Sequence, residues 1–73
     1  MSAGELLRRY RLENNLTQQQ MANLLGISQA AYHKWESELT KIPIDRYFSI
    51  SVVCNVKLHD MLPENWQKKI NSE

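Results

Sequence analysis

The stretch TQQQMANLLGISQAAYHKWE, which runs from Thr17 to Glu36, decides the fold of this chain. Its apolar residues recur at helical spacing on both sides of one glycine, Gly26. Thr17 and Ser28 are residue types that cap helix N-termini, and glycine readily adopts the left-handed backbone that ends a helix. The stretch therefore predicts two short helices that meet in a tight turn at Gly26.

These two predicted helices carry apolar side chains wherever two crossed helices would face each other. The positions concerned are Met21, Leu25, Ile27, Tyr32 and Trp35. Ala22 stands where the helices come closest, since a larger side chain there would push them apart. The pattern favours a helix-turn-helix, in which the second helix lies in the major groove of DNA. A helical hairpin in an unrelated bundle is the alternative.

The rest of the chain predicts three further helices, over residues 3–14, 43–54 and 57–62. No segment alternates between polar and apolar residues with period two, so a sheet is not expected. The sequence thus predicts an all-α, compact five-helix domain over residues 1–62. Residues 63–73 form a tail that can add one more helical turn.

Local signals support the ends of these helices. Ser2 and Glu5 have the spacing of a capping box, Pro43 suits a first helical turn, and Asn55 suits a helix end. The apolar positions of the fourth predicted helix are Ile44, Tyr47, Phe48, Ile50, Ser51 and Cys54. The fifth predicted helix should bury Leu58 and Met61.

The composition fits a small folded domain without a catalytic or metal centre. Apolar residues make up 42% of the 73 residues, which is enough for one modest core. The single cysteine, Cys54, allows no intrachain disulfide and no cysteine zinc cluster, and His33 and His59 are far apart in the chain. No glycine-rich phosphate loop or catalytic arrangement of Ser, His and Asp is evident. We therefore expect no enzyme activity, cofactor, metal or small-molecule substrate.

The N-terminus has no basic segment followed by an apolar run, and no apolar stretch is long enough to span a bilayer. A single cysteine also suits a reducing compartment. We therefore expect a cytoplasmic protein that does not associate with membranes.

Charge argues weakly against binding to DNA. Nine Lys and Arg residues against eight Asp and Glu residues leave a formal net charge of +1. Proteins that hold DNA by bulk electrostatics are usually far more basic. Affinity for DNA would then have to come from well-placed contacts and from two subunits that act together.

The side chains that point outward from the third predicted helix have the chemistry of base recognition. Glutamine can pair with adenine through two hydrogen bonds, lysine can donate to guanine, and an alanine methyl can meet a thymine methyl. The candidate base-reading residues are Gln29, Ala30, His33 and Lys34. Solvent-exposed helix residues of no special function would look the same without the surrounding motif.

Phosphate contacts are expected on either side of this helix. The N-terminus of the second helix combines Gln18 with free backbone N–H groups, which is a natural seat for a phosphate. Thr40 and Lys41, in the loop after the third helix, could hold a second phosphate. Arg11 and Glu36 are a different kind of pair, since two-pronged Arg–carboxylate bonds would tie the first helix to the third. Such a pair contributes much only if it is partly buried.

Several short segments together resemble a known family. They are Leu16-Thr17-Gln18, Met21-Ala22, Leu25-Gly26-Ile27-Ser28, Trp35-Glu36 and residues 56–62. This set resembles the phage repressor/Cro-like helix-turn-helix family, also called xenobiotic-response-element-like. The resemblance implies five helices, a symmetric dimer on double-stranded DNA, and a bacterial or phage-infected cell.

Carried over by position, the resemblance makes Gln29, Ala30 and Lys34 base readers and matches Arg11 with Glu36 as an inter-helix ion pair. The predicted contacts to the DNA backbone are Gln18, Ser28, Ser37, Thr40 and Lys41. The residues predicted to support the motif are Ala22, Gly26, Arg11, Glu36, Tyr32 and Trp35.

The chain also departs from that family's pattern. Ser37-Glu38 follows Glu36 where the family often has Asn-Gly, and an acidic Glu38 near phosphates is unfavourable, so we expect that loop to sit differently. Lys57 stands in place of a helix-capping serine. Cys54 and Asn55 replace a common leucine and glycine.

The C-terminal residues Leu62, Trp66 and Ile70 recur every four positions and form an apolar stripe. They can fold back on the monomer, pair across a dimer axis or stay loose, and the low net charge favours their use as dimer contacts. The sequence as a whole predicts a DNA-binding transcriptional regulator, a homodimeric repressor on a palindromic operator. The alternative is a protein-interaction module, such as an antitoxin-like or regulatory partner, in which DNA binding is secondary.

Overall fold

The computed structural model describes residues 2–61 of the chain. Its helices are α1 (Ala3–Glu13), α2 (Gln18–Leu25), α3 (Gln29–Glu36), α4 (Arg46–Cys54) and α5 (Leu58–Met61), and the described residues contain no strand. The prediction of an all-α fold with five helices is confirmed. The additional C-terminal turn, predicted for residues 63–73, lies outside the described residues.

Polar side chains define the start and end of α1. The Ser2 hydroxyl accepts a hydrogen bond from the Glu5 backbone N–H at 3.2 Å, which satisfies one of the free donors at the helix start. At the other end, the Asn14 side chain donates to the Tyr10 carbonyl at 2.8 Å. Asn15 then takes a left-handed conformation with a φ of 54° and turns the chain towards α2.

The entry into α2 is a complete capping box. The Thr17 hydroxyl accepts from the Gln20 backbone N–H at 3.0 Å, and the Gln20 side chain accepts from the Thr17 backbone N–H at 2.8 Å. Leu25, predicted to face the neighbouring helix, is buried, whereas the adjacent Leu24 is exposed. The sequence at Thr17 therefore fixes the first residue of α2, and packing of Leu25 against the core fixes the rotation of the helix.

Gly26 ends α2 in the left-handed region, with φ 69° and ψ 32°. A Cβ added there would meet no atom within 4 Å, so the residue is required for its backbone conformation and not for space. The following Ile27 N–H donates to the Ala22 carbonyl at 3.0 Å and closes the turn. Ser28 then caps α3 by accepting from the Ala31 backbone N–H at 3.1 Å.

The core is built where four helices meet. Its fully buried large side chains are Leu7, Met21, Tyr32 and Ile50, from α1, α2, α3 and α4 respectively. Ala22 is also fully buried where α2 crosses its neighbours, as the sequence predicted. One continuous core therefore fixes the orientation of α3 relative to the other helices.

The fourth helix differs from its prediction in start and in orientation. Pro43 lies outside it: the Arg46 N–H bonds to the Pro43 carbonyl at 2.9 Å, which makes a turn before α4 begins at Arg46. Ile44 and Phe48, predicted at apolar positions of this helix, are exposed, while Ile50 and Cys54 are buried. The prediction failed because apolar residues surround this helix and their spacing does not say which side faces the core.

The last described helix begins one residue later than predicted. Asn55 ends α4 with a left-handed φ of 52°, and α5 covers Leu58–Met61. Residue 62, where the prediction ends this helix, lies outside the described residues. Met61 is buried in the core cluster with Ile50 and Cys54. Over residues 2–61, no helix is long and apolar enough to cross a membrane.

Candidate nucleic-acid interface

The outward face of α3 presents the four predicted base-reading residues together. All four are exposed in the structure: Gln29, Ala30, His33 and Lys34. The opposite face of the helix carries Tyr32 and Trp35, which are buried against the core. We call the four exposed residues the α3 ridge. No side chain of the ridge is turned into the interior.

The α3 ridge borders a shallow depression of about 430 Å³. Gln18, at the start of α2, lines the same depression, and its side-chain nitrogen is 3.4 Å from Nδ1 of His33. The start of α2 and the exposed side of α3 are thus adjacent, as a contact with base edges and a neighbouring phosphate requires.

Leu39 also lines this depression, and sequence reasoning missed it. It is one of the most exposed large apolar side chains in the described chain. The signal was present, because Leu39 is a large apolar residue that directly follows the polar residues Ser37 and Glu38 at the end of the candidate reading helix. An exposed leucine at this place can contact a thymine methyl or a sugar.

The predicted contacts to the DNA backbone do not form one cluster. Ser28 is engaged as the cap of α3, and Ser37 is exposed at the other end of that helix. Thr40 and Lys41 are exposed but line a different hollow, of about 500 Å³, between the loop after α3 and the N-terminus of α1. Gln18 is therefore the predicted backbone contact that lies directly beside the ridge.

A two-pronged ion pair joins α1 to α3. Arg11 Nε donates to Glu36 Oε2 at 2.8 Å, and Arg11 Nη2 donates to Glu36 Oε1 at 2.9 Å. A third guanidinium N–H donates to the carbonyl of Leu16 at 3.2 Å, which includes the loop before α2. The two side chains are only 17% and 7% exposed. The ion pair predicted from the sequence is present, and it lies in a partly buried site where it matters for stability.

The charges in this site shift the acidity of its groups. Burial alone would raise the pKa of Glu36, but the hydrogen-bonded Arg11 guanidinium beside it holds that pKa below its usual value. The Glu36 hydrogen bond raises the pKa of Arg11. Glu36 therefore stays ionised. Its Oε1 atom also accepts a long hydrogen bond from Gln18 Nε2 at 3.5 Å.

The Tyr32 hydroxyl lies buried beside this ion pair. Burial, and then the neighbouring Glu36 carboxylate, raise the pKa of Tyr32, so it stays protonated. Among the described residues, this hydroxyl has no hydrogen-bond partner. The Tyr32 ring serves as a core side chain, while Arg11 supplies the short hydrogen bonds to Glu36.

The loop after α3 is held by a close approach that sequence reasoning did not find. A Cβ on Gly4 would lie 2.8 Å from the Trp35 carbonyl oxygen and 2.8 Å from Cγ of Glu38. Such distances are too short for any other residue, so Gly4 lets α1 lie against the end of α3. The contact joins residues about thirty positions apart, and no local pattern announces it.

Glu38 takes the left-handed conformation, with a φ of 59°. Its N–H bonds to the Trp35 carbonyl at 3.2 Å, and the Leu39 N–H bonds to the Lys34 carbonyl at 2.9 Å. Glycine is the residue that adopts this conformation without a steric cost. The departure noted at Ser37-Glu38 therefore places a charged, β-carbon-bearing residue where glycine fits best.

The structure describes no metal centre and does not reach the predicted dimer contacts. Among residues 2–61, no group of three or more His, Cys, Asp or Glu side chains could hold a metal ion. Leu62, Trp66 and Ile70 lie outside the described residues.

An all-α fold with an exposed second helix in a helix-turn-helix defines a class of DNA-binding proteins. A helix-turn-helix family model matches residues 7–61, and the chain belongs to this family, whose Cro/C1-type members are DNA-binding transcription regulators. The family predicted from the sequence is confirmed.

Comparison with solved structures supports the fold. A structure of a SinR protein/SinI protein complex is similar to this chain with a TM-score of 0.68 and 22% sequence identity. The match covers 94% of this chain and 75% of that chain. No curated protein matches the sequence.

Proposed function

We propose that this DNA-binding regulator is a homodimeric repressor that inserts α3 into the major groove of a palindromic operator. The observation that carries the proposal is the exposed α3 ridge, held in place by the buried core and by the Arg11–Glu36 ion pair. Two subunits would place their α3 helices in successive grooves, about one helical turn or roughly 10–10.5 bp apart. A second subunit also offsets the low net charge of +1.

Each residue of the interface has a proposed role. On the ridge, Gln29 reads adenine, Lys34 reads guanine, and Ala30 with the newly found Leu39 contacts thymine methyl groups. His33 completes the base-reading set. The proposed phosphate contacts are Gln18, Ser28, Ser37, Thr40 and Lys41.

We further propose that residues 1–62 form the DNA-binding domain and that residues 63–73 form a dimerisation tail, with contacts from Leu62, Trp66 and Ile70. The support for this division is that the matched family region ends at residue 61. The tail's apolar stripe then lies outside the part of the chain that reads DNA.

Selection of bound sequences from a random double-stranded DNA pool tests the proposal. We expect a palindrome whose half-sites are centred about one helical turn apart. Lys34→Ala should lose about 1–3 kcal/mol of binding free energy and relax the preference at one base pair in each half-site. Equal weakening on every sequence would make Lys34 a phosphate contact, and recovery of a single unrepeated site would contradict the dimer.

A protein-interaction module is the second candidate, and the exposed apolar residues of the α4 region favour it. Ile44, Phe48 and Val52 all lie outside the core. A gel shift with random DNA at low salt, alongside pull-down with the full chain, separates the two functions. Absence of DNA binding together with capture of one defined partner would favour the interaction module over the repressor.

A further inference from the structure

Three of the large exposed apolar side chains of the described residues lie on one side of the α4 region. Phe48 and Val52 are one helical turn apart on α4 and are 63% and 81% exposed. Ile44, in the turn that leads into α4, is also exposed and precedes Phe48 by four residues. We call these three residues the α4 stripe. Charged side chains normally occupy such a face, so the α4 stripe indicates a binding surface.

The chain itself contains a segment that matches this stripe in length and chemistry. Leu62, Trp66 and Ile70 repeat the same spacing of four residues, and Trp66 is a residue type that anchors interfaces. A helix rises about 1.5 Å per residue, so both triplets span about 12 Å. In an antiparallel arrangement, Trp66 would lie opposite Phe48. Leu62 would then face Val52, and Ile70 would face Ile44.

Charge complementarity supports this antiparallel register. When Trp66 faces Phe48, Lys69 faces Asp45, which is exposed at the start of α4. The Asp45 side chain makes no capping hydrogen bond and is therefore available to an outside partner. Direct pairing of two α4 stripes around Phe48 would instead place Asp45 opposite Ser51, without an opposite charge. The tail is thus the better partner for the stripe.

The segment that fits must come from a second copy of the chain. Met61 is buried in the core with Ile50 and Cys54, which lie on the inner side of α4. Val52 lies on the outer side. Consecutive Cα atoms are 3.8 Å apart, whereas a helix with its side chains is about 10 Å across. To place Leu62 on Val52 of the same chain in this register, the backbone would have to cross the width of α4 within one residue of Met61, so we take the tail from a second copy.

We propose that residues 62–73 of each subunit form a helix that docks on the α4 stripe of the other subunit. This inference rests on the proposed homodimer and names the surface that holds it together. A two-fold axis makes the exchange reciprocal, so each contact occurs twice. Since α4 packs mainly on α1, α2 and α5, the exchanged tails leave the α3 ridge free for DNA.

Sedimentation equilibrium of the full chain tests the docking surface. The wild-type chain should dimerise, and Phe48→Ser should weaken the dimer about tenfold or more, because a central apolar anchor is lost. The helical signal of Phe48→Ser should be unchanged, since Phe48 lies outside the core. A wild-type chain that stays monomeric, or a Phe48→Ser chain that dimerises as well as wild type, overturns the inference.

Charge reversal tests the register. Asp45→Lys and Lys69→Asp should each weaken the dimer several-fold, and the double variant should restore it, because the pair is reversed and occurs twice. Lys68→Asp is the matched control, since that residue would face outward and its reversal should have no effect. A double variant that is weaker than either single variant overturns the register.

A disulfide decides whose tail is bound. The variant Asp45→Cys/Lys69→Cys should oxidise to a covalent dimer, while the native Cys54 is buried and should not react. An intramolecular bond would overturn the exchange between subunits.

A gel shift separates this inference from the proposed function. Phe48→Ser should bind a single half-site as well as wild type and lose affinity only for the full palindrome. If wild type dimerises as described but binds no DNA, the proposed function fails and the docking stands. If the chain binds DNA as proposed but Phe48→Ser does not weaken the dimer, the docking inference is wrong and the proposed function stands.

Discussion

Two regions of this domain, the helix-turn-helix (residues 17–36) and the α4 region (residues 44–54), are specified in different ways. Between Thr17 and Glu36, the helix starts are capped by side chains, the turn is made by a left-handed glycine, and one side of each helix is buried. The start of α4, in contrast, has no side-chain cap, and its apolar residues face both the core and the solvent. The structure of the helix-turn-helix follows from local sequence rules, whereas the orientation of α4 depends on the helices that pack against it.

This difference fits the functions that we propose for the two regions. A helix that reads bases, as we propose for α3, must present the same face at all times, and α2 and α3 are held by bonds internal to the domain. A surface that binds a partner must leave apolar groups uncovered until the partner arrives. We therefore expect substitutions at the contacts of the helix-turn-helix to lower the free energy of unfolding more than substitutions in the α4 region.

The largest expected loss of stability comes from Arg11→Met. It leaves the Glu36 carboxylate, which is 7% exposed, without its partner, and removing one member of such a pair costs about 3–5 kcal/mol. Urea unfolding measures the loss. The matched control is Arg9→Met, which breaks the Arg9–Glu13 pair, whose side chains are 65% and 62% exposed, and should cost about 0.5 kcal/mol or less.

The same pair predicts how stability depends on pH. The pKa of Glu36 is lower in the folded chain, so its contribution is complete above the unfolded value of about 4.3 and is lost as the pH falls through the folded value. Arg11→Met should remove the part of this acid sensitivity that comes from Glu36. Equal acid curves for Arg11→Met and wild type would mean that the pair does not hold α1 to α3.

The next effect is expected at the crossing of α2 with its neighbours. Ala22 is fully buried, so Ala22→Leu should overpack the crossing and cost about 1–3 kcal/mol or more. Circular dichroism and urea unfolding report the loss. Ala30→Leu is the matched control, because Ala30 is exposed on α3 and the added side chain meets no core. A fully stable Ala22→Leu chain would contradict the tight crossing.

The two regions also differ in how much helix capping contributes to their stability. Ser28→Ala removes the hydrogen bond to the Ala31 N–H and should cost about 1 kcal/mol. Asp45→Ala removes no capping bond at the start of α4, and only a small interaction with the helix dipole is lost, a few tenths of a kcal/mol. Thermal unfolding of both variants at one low protein concentration makes the comparison. Equal losses would mean that α4 is specified by its local sequence as strongly as α3.

Much of the helix-turn-helix could be predicted from the sequence because its signals are local. Thr17, Gly26 and Ser28 act through hydrogen bonds and φ values within a few residues, so their types reveal the helix ends. The exposed ridge could also be predicted, because burial of Tyr32 and Trp35 fixes the rotation of α3.

The remaining features depend on contacts between distant parts of the chain. Gly4 is needed only because α1 lies against the end of α3, and α4 turned Phe48 outward because of where its neighbours stand. Leu39 belongs to the ridge's depression because the loop folds back beside α3. Periodicity and residue type do not contain this information for Gly4 and Phe48. The apolar residue type of Leu39 was a signal, but its place beside α3 depends on the fold of the loop.

The last effect is a small gain in stability, expected at the end of α3. Glu38→Gly should stabilise the domain by about 0.5–1 kcal/mol, because glycine adopts the left-handed φ of 59° without the steric cost of a Cβ. It should also bind every DNA sequence somewhat more tightly, since a negative charge near the phosphates is removed. Glu38→Gln is the matched control: it removes the charge but keeps the Cβ, so it should improve DNA binding without the gain in stability. A Glu38→Gly chain that unfolds more easily than wild type would mean that the contact of the Glu38 side chain with Gly4 outweighs the backbone strain.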